Sequence, residues 1–262
     1  MQALGYVASL FIGISLGLIG GGGSILTIPV LVYLFMVSPT LAISYSLFIV
    51  GFTSLVGAYN NYRKGLVNIK TVLLFGSSSI TTVFVARKFI IPLLPDVFFI
   101  IGNFRVTHAL FVMVVFAILM LAASFSMIKN KQVNVNDDIP AKPYLLVVYG
   151  ILIGMVTGLL GAGGGFLLIP ALVLLMKLPM KKAIGTSLLI ISLNSLIGFT
   201  GDIGRHDIDW KLILMITAIA ITGIFIGGYF NQKVNSDKLK RGFGWFVLVM
   251  GVVIILKEIF LL

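Results

Sequence analysis

The sequence predicts an all-α integral membrane protein of two homologous repeats in inverted orientation. Each repeat has a glycine-broken pair of short helices and three further spans, about 8 to 10 membrane segments in all. Three observations predict this. With 59% hydrophobic and 10% charged residues and a mean hydropathy of +1.15, the chain has too little polar surface to coat a water-soluble globule of its 262 residues. Several apolar runs approach the roughly 20 helical residues that cross a hydrocarbon core of about 30 Å. Twice, at "GLIGGGGSILTIP" (17–29) and "GLLGAGGGFLLIP" (158–170), such a run is broken by consecutive small residues and resumes at once.

Taken in order, the first half (1–128) shows apolar segments at 4–20, 24–37, 41–60, 67–88 and 106–128. The start, Met1-Gln2-Ala3-Leu4, lacks the basic region and cleavage site of a signal peptide, so the first segment is expected to stay. Pro92 and Pro95 interrupt "FIIPLLPDVFFIIGNF" (89–104), which reads as an interfacial or packed loop. The charged, proline-containing stretch 129–143 reads as a solvated linker. The second half (144–262) repeats the pattern at 144–160, 165–177, 182–201, 210–230 and 242–261. No β-barrel alternation is present.

The halves align without a gap at an offset of 141, the distance from Pro29 to Pro170. The same offset joins Gly13 to Gly154, Gly17 to Gly158, Gly22 to Gly163, Gly23 to Gly164, Ser46 to Ser187, Ser54 to Ser195 and Gly57 to Gly198. Matched Gly, Pro and Ser carry the argument, because Leu and Ile match by chance in such a composition. Charge then orients the repeats. If each half makes four crossings, Lys and Arg divide 9 against 10 between the two sides. With a fifth crossing or returning half-crossings at the glycine break the division is 13 against 6, and only this inverted arrangement obeys the positive-inside rule. It places the linker in the cytoplasm and both termini outside. The net charge of +11 has the same origin, since the basic residues are scattered among short loops rather than gathered on a nucleic-acid-binding face.

The segment 24–37 is only about 21 Å long as a helix, so the glycines are expected inside the membrane. Unwound backbone is tolerated at that depth only where protein or a water-filled cavity covers it. A helix starting there aims free N–H groups and the positive end of its dipole at the cavity, an anion site made without a charged side chain. The candidate substrate residues are Gly22, Gly23 and Ser24 in the first break and Gly163, Gly164 and Gly165 in the second. Hydroxyls and an amide on the following span complete the set: Ser46, Ser54, Thr186, Ser187, Asn194 and Ser195. The competing reading is that the glycines only let helices pack closely.

The paired signatures "GGGGSILTIP" and "GAGGGFLLIP", with "KKAIGTSLLIISLNSLIGF" at 181–199, resemble the TauE/SafE family of sulfite exporter-like transporters over nearly the whole chain. The first repeat departs from the pattern, with Ser44-Tyr45-Ser46 where the second has Gly185-Thr186-Ser187, and Thr53 in place of Asn194. The resemblance implies a multi-pass transporter of the cell membrane that moves sulfite, a sulfonate or a related small anion.

Other chemistry has less support. The chain has no Cys, and no Ser-His, paired-Asp or metal-ligand spacing falls within a span, so an intramembrane enzyme is the weaker alternative and a membrane scaffold or assembly factor the other. "GDIGRHDIDW" (201–210) gathers acids and a histidine but reads as a solvated loop, with Asn60, Asn61 and Asp202 solvated at span ends. His108 reads as interfacial, with a proton carrier as its alternative, and "SSSITT" (77–82) reads equally as lining a pathway or as hydroxyls bonding within the bundle. No metal and no cofactor is expected. The expected partners are a small anionic substrate and the lipid bilayer, with no nucleic acid, and a homodimer is compatible with the sequence. All eight acidic residues fall in loops or near segment ends, so potential-driven anion efflux is the simplest mechanism.

Overall fold

The computed structural model describes residues 2–93, 97–101, 104–129, 143–160, 164–204 and 207–260. The first half runs α1 (Gln2–Ile19), α2 (Gly22–Tyr33), α3 (Pro39–Arg63), α4 (Ile69–Leu93), strands β1 (Val97–Ile101) and β2 (Phe104–Thr107), and α5 (His108–Lys129). The second runs α6 (Pro143–Leu160), α7 (Gly165–Pro170, continued by a π-helical turn Ala171–Leu175), α8 (Met180–Thr200), α9 (Trp210–Lys233) and α10 (Ser236–Phe260). The anticipated linker lies outside the described residues.

Among the described residues, four helices are both long and apolar enough to cross a membrane: α3, α4, α8 and α9. They are two counterpart pairs at the offset of 141. Shorter apolar stretches lie at Ala3–Ile19, Gly23–Tyr33, Met113–Ala122, Tyr144–Leu159 and Gly244–Leu256.

Local signals set the helix ends. Asn68 caps α4 by accepting from the Thr71 N–H, and its counterpart Asp209 caps α9 by accepting from the Leu212 N–H. The backbone N–H of Asn68 donates to Thr186 of α8, and that of Asp209 to the Tyr45 hydroxyl of α3, again a matched pair of residues. Pro39 opens α3, and Gly65, at φ +68, turns the chain after it.

Two expectations are corrected here. The segment 89–104 is not a loop: α4 continues through Pro92, in a terminal 3-10 turn, and an antiparallel hairpin with a register shift follows. Val97-Phe98-Phe99-Ile100-Ile101 is β-branched or aromatic throughout, which favours strand once the prolines end the helix. The chain is therefore helical apart from this hairpin among its described residues. The second correction is that the short helix of the first break starts at Gly22 rather than Ser24.

Packing exchanges partners between the halves. Helix α1 lies along α9, and its counterpart α6 lies along α4, while α3 packs on α8 and α5 on α10. Gly13 sits against the Ala220 carbonyl and Gly17 against that of Ile224. Their counterparts repeat the contacts, Gly154 against Ser79 and Gly158 against Val83. At Gly13, Gly17 and Gly154 these contacts admit no methyl group, and at Gly158 a Cβ would strike that of Ala86 at 2.8 Å, so glycine here serves close helix approach. Along α3 and α8, Leu47 faces Gly198, Gly51 faces Leu196 and Asn61 faces Gly185. The counterpart helices α3 and α8 therefore run antiparallel.

Candidate functional site

The two glycine breaks meet. Gly21, just before α2, touches Gly165 at the start of α7 so closely that a Cβ on Gly165 would stand 2.7 Å from the Gly21 Cα. Each break contains a left-handed residue, Gly20 at φ +77 and Gly164 at φ +68, a conformation that side chains with a Cβ rarely adopt. The breaks are not superposable, because Gly23, the counterpart of Gly164, is already helical and packs on Ile12 and Leu16 of α1.

One face of α8 runs past this junction. Ser187 lies against Gly20, and its hydroxyl donates to the Ile184 carbonyl at 2.9 Å and reaches the Gly20 carbonyl at 3.4 Å. One turn on, Ile191 touches Gly165, and Asn194 follows a turn later. Interpolating the α3–α8 contacts puts Asn194 level with its own counterpart, Thr53, near the middle of α3.

The hydroxyls divide into two groups at this level. Many buried ones in the helices are satisfied by their own backbone. Ser24 donates to the Gly21 carbonyl at 2.7 Å, Ser46 to that of Ile43 at 2.8 Å and Ser192 to that of Leu189 at 2.8 Å. By contrast Thr53 Oγ1, Ser54 Oγ, Ser195 Oγ and Asn194 Oδ1 have no hydrogen-bond partner, although all four residues are fully buried. The Asn194 amide nitrogen donates to Ser79 Oγ at 2.8 Å. Thr157 Oγ1, directly against Gly164, is also without a partner. Leaving a buried polar group unbonded costs about 1–3 kcal/mol, so such atoms concentrated at one level ask for a ligand or water.

Of the candidate residues, Gly164, Gly165, Ser187, Asn194, Ser195 and Ser54 therefore belong to the junction and the level beside it. Gly22 opens α2, and Ser24 and Ser46 are committed to backbone carbonyls. Thr186 accepts from the start of α4, at the end of the bundle. Gly163 lies outside the described residues, as does His206.

A further cluster escaped the sequence reading. Asp202, expected in solvent, is 4% exposed and forms an ion pair with Arg87, which is 3% exposed. Ser44 Oγ donates to Asp202 Oδ2 at 2.6 Å, and the guanidinium also donates to Ser44 at 3.2 Å and to the Gly158 carbonyl at 3.5 Å. Burial of two opposite charges is tolerable because each answers the other. The signal was weak: both residues stand at segment ends, where charges ordinarily meet water.

Two broken helices meeting between antiparallel counterpart spans is the construction of a membrane transporter. The chain belongs to the family described as "Sulfite exporter TauE/SafE", whose model matches residues 6–254. It is a multi-pass transporter of the cell membrane and not an enzyme. Among similar proteins, a "Probable membrane transporter protein" of Xylella fastidiosa (strain 9a5c) is 28% identical over 255 residues, covering 94% of this chain and 92% of its own. YunE of Bacillus subtilis (strain 168), with the same description, is 27% identical over 271 residues, covering 95% and 93%. MJ0441 of Methanocaldococcus jannaschii, described likewise, is 25% identical over 266 residues, covering 95% and 94%. No solved structure matches the chain.

Proposed function

We propose that the protein exports a small sulfur-containing anion, sulfite, a sulfonate or a similar species, by alternating access of two inverted repeats. The site lies between the glycine breaks and the level of Thr53 and Asn194. One observation carries this reading: the unbonded hydroxyls of Ser54 and Ser195, matched residues on the antiparallel pair α3 and α8. Sulfo oxygens are strong acceptors, and hydroxyls with uncommitted hydrogens are suitable donors. The family description supports the sulfur chemistry. An inside-negative potential contributes about 2.3 kcal/mol per charge per 100 mV toward anion exit, so efflux needs no coupled cation.

The exchange of helix partners supports the inverted arrangement. Counterpart spans that run antiparallel are related by an axis lying across them, and an axis across membrane-crossing helices lies in the membrane plane. Single cysteines at Lys64 and Lys181, in this cysteine-free chain, are expected to resist an impermeant thiol reagent in intact cells and to react in opened ones. Reaction of either in intact cells would refute the orientation.

In proteoliposomes, sulfite flux is expected to carry net charge and to follow an imposed potential. Ser54→Ala and Ser195→Ala should each weaken apparent affinity by about tenfold, the loss of one hydrogen bond to a charged group. Ser192→Ala, which removes a hydroxyl already bonded to its own helix, should leave it unchanged. Equal behaviour of all three variants would sink the site.

A further inference from the structure

The two ends of the α3–α8 pair are unlike. At one end Arg87 of α4 and Asp202, just after α8, are paired in a buried site, with Ser44 of α3 bonded to both. At the other end the counterparts of Arg87, Asp202 and Ser44 are Gly228, Asn61 and Gly185, so both charges and the hydroxyl are missing. At that end lies a small cavity with room for about one water molecule, lined by Gly17, Gly57, Asn60, Asn61, Leu188 and Gly228. One end holds a buried ion pair and its mate a small hollow.

We infer that the Arg87–Asp202–Ser44 cluster is a gate of the transport pathway, which must part for solute to pass that end. Arg87 and Ser44 lie on α4 and α3 and Asp202 just after α8, so a displacement of α3 and α4 against the end of α8 separates them. An ion pair suits the task. Buried, the charges attract strongly in a medium of low dielectric, and parted they regain hydration, so closed and open states can stay close in free energy. Arg63, Lys64, Lys181, Lys182 and Lys233 stand toward the hollow end, which makes that end cytoplasmic by the positive-inside rule and the gate external.

Leu47 and Asn61 serve as reporters of the two ends. Leu47, fully buried, packs against Gly198 beside the ion pair, and half-buried Asn61 lines the cavity. With an impermeant thiol reagent, Asn61→Cys is expected to react from the cytoplasmic face. Leu47→Cys should react from the outside only, and about tenfold more slowly, as befits a minor open state. Reaction of Leu47→Cys from the cytoplasmic face, or at the same rate as Asn61→Cys, would overturn the gate.

A lock supplies the second measurement. Ser44→Cys with Asp202→Cys, in an Arg87→Met background that leaves no unpaired charge, is oxidised to a disulfide. Radiolabelled sulfite flux is expected to fall at least about tenfold, to below the share of a minor open state, and to return on reduction, with sulfite binding retained. Undiminished flux through the locked protein would overturn the proposal. This flux measurement rests on the sulfur-anion reading. If the parent chain moves no sulfite, that reading alone fails, and the reporter cysteines decide the gate.

Discussion

Gly164→Ala is expected to abolish most transport while the protein remains folded. At φ +68 an added Cβ costs about 1–2 kcal/mol of backbone strain, and here it would also fall on Thr157 Oγ1. Relieving both by moving the backbone pulls Gly165 from Gly21, which is the junction itself. Thr157→Ala in the same chain removes the collision but not the strain, so it should restore transport only in part. Two comparisons separate site from scaffold. Gly76→Ala adds a methyl that meets side-chain carbons at 3.6 Å, an ordinary contact, and should be silent. Gly154→Ala meets the Ser79 carbonyl at 2.6 Å and wedges α6 from α4, so it should lower thermal stability. A Gly164→Ala protein that transports like the parent would move the site away from the breaks.

The second large effect is on stability. Asp202→Asn leaves the Arg87 cation buried without its counter-charge, at an expected cost of about 3–5 kcal/mol. Replacing both, Arg87→Met with Asp202→Leu, should return stability to within about 1 kcal/mol of the parent or above it, because neither desolvated charge remains. Unfolding midpoints of the four proteins in detergent form a double-mutant cycle that isolates the pairing. A single-variant loss below about 1 kcal/mol would mean that the pair behaves as a solvated surface ion pair.

Much of the fold was legible because periodic apolar runs and an unbroken offset survive in a composition where glycine, proline and serine stand out. Every predicted segment corresponds to a helix, and boundaries differ by a few residues where caps decide them. The hairpin was legible in principle: Gly102-Asn103 between two β-branched or aromatic runs is a two-residue turn signal, but Pro92 and Pro95 drew attention to a loop. The site was legible by residue type and not by direction. Ser46 and Ser54 look alike in sequence, yet eight residues rotate a helix by about 80° beyond two full turns, and that angle leaves one bonded to its own backbone and the other without a partner. The ion pair was hidden by the repeat comparison itself. Arg87 and Asp202 align with Gly228 and Asn61, so matching identical residues between the halves discarded a place where the halves differ in charge.

The lodging of α1 against α9 has a consequence for biosynthesis. The two helices are separated by nearly the whole chain, and a ribosome adding about 5–20 residues per second makes α9 some 10–40 s after α1. During that interval the Gly13 and Gly17 face of α1 has only lipid or the insertion machinery to cover it. Neither half is a finished object when it leaves the translocon, since each lends its first helix to the other. A nascent first half therefore waits in the bilayer with its seam open, and quality control must tolerate that intermediate until the second half arrives to close it.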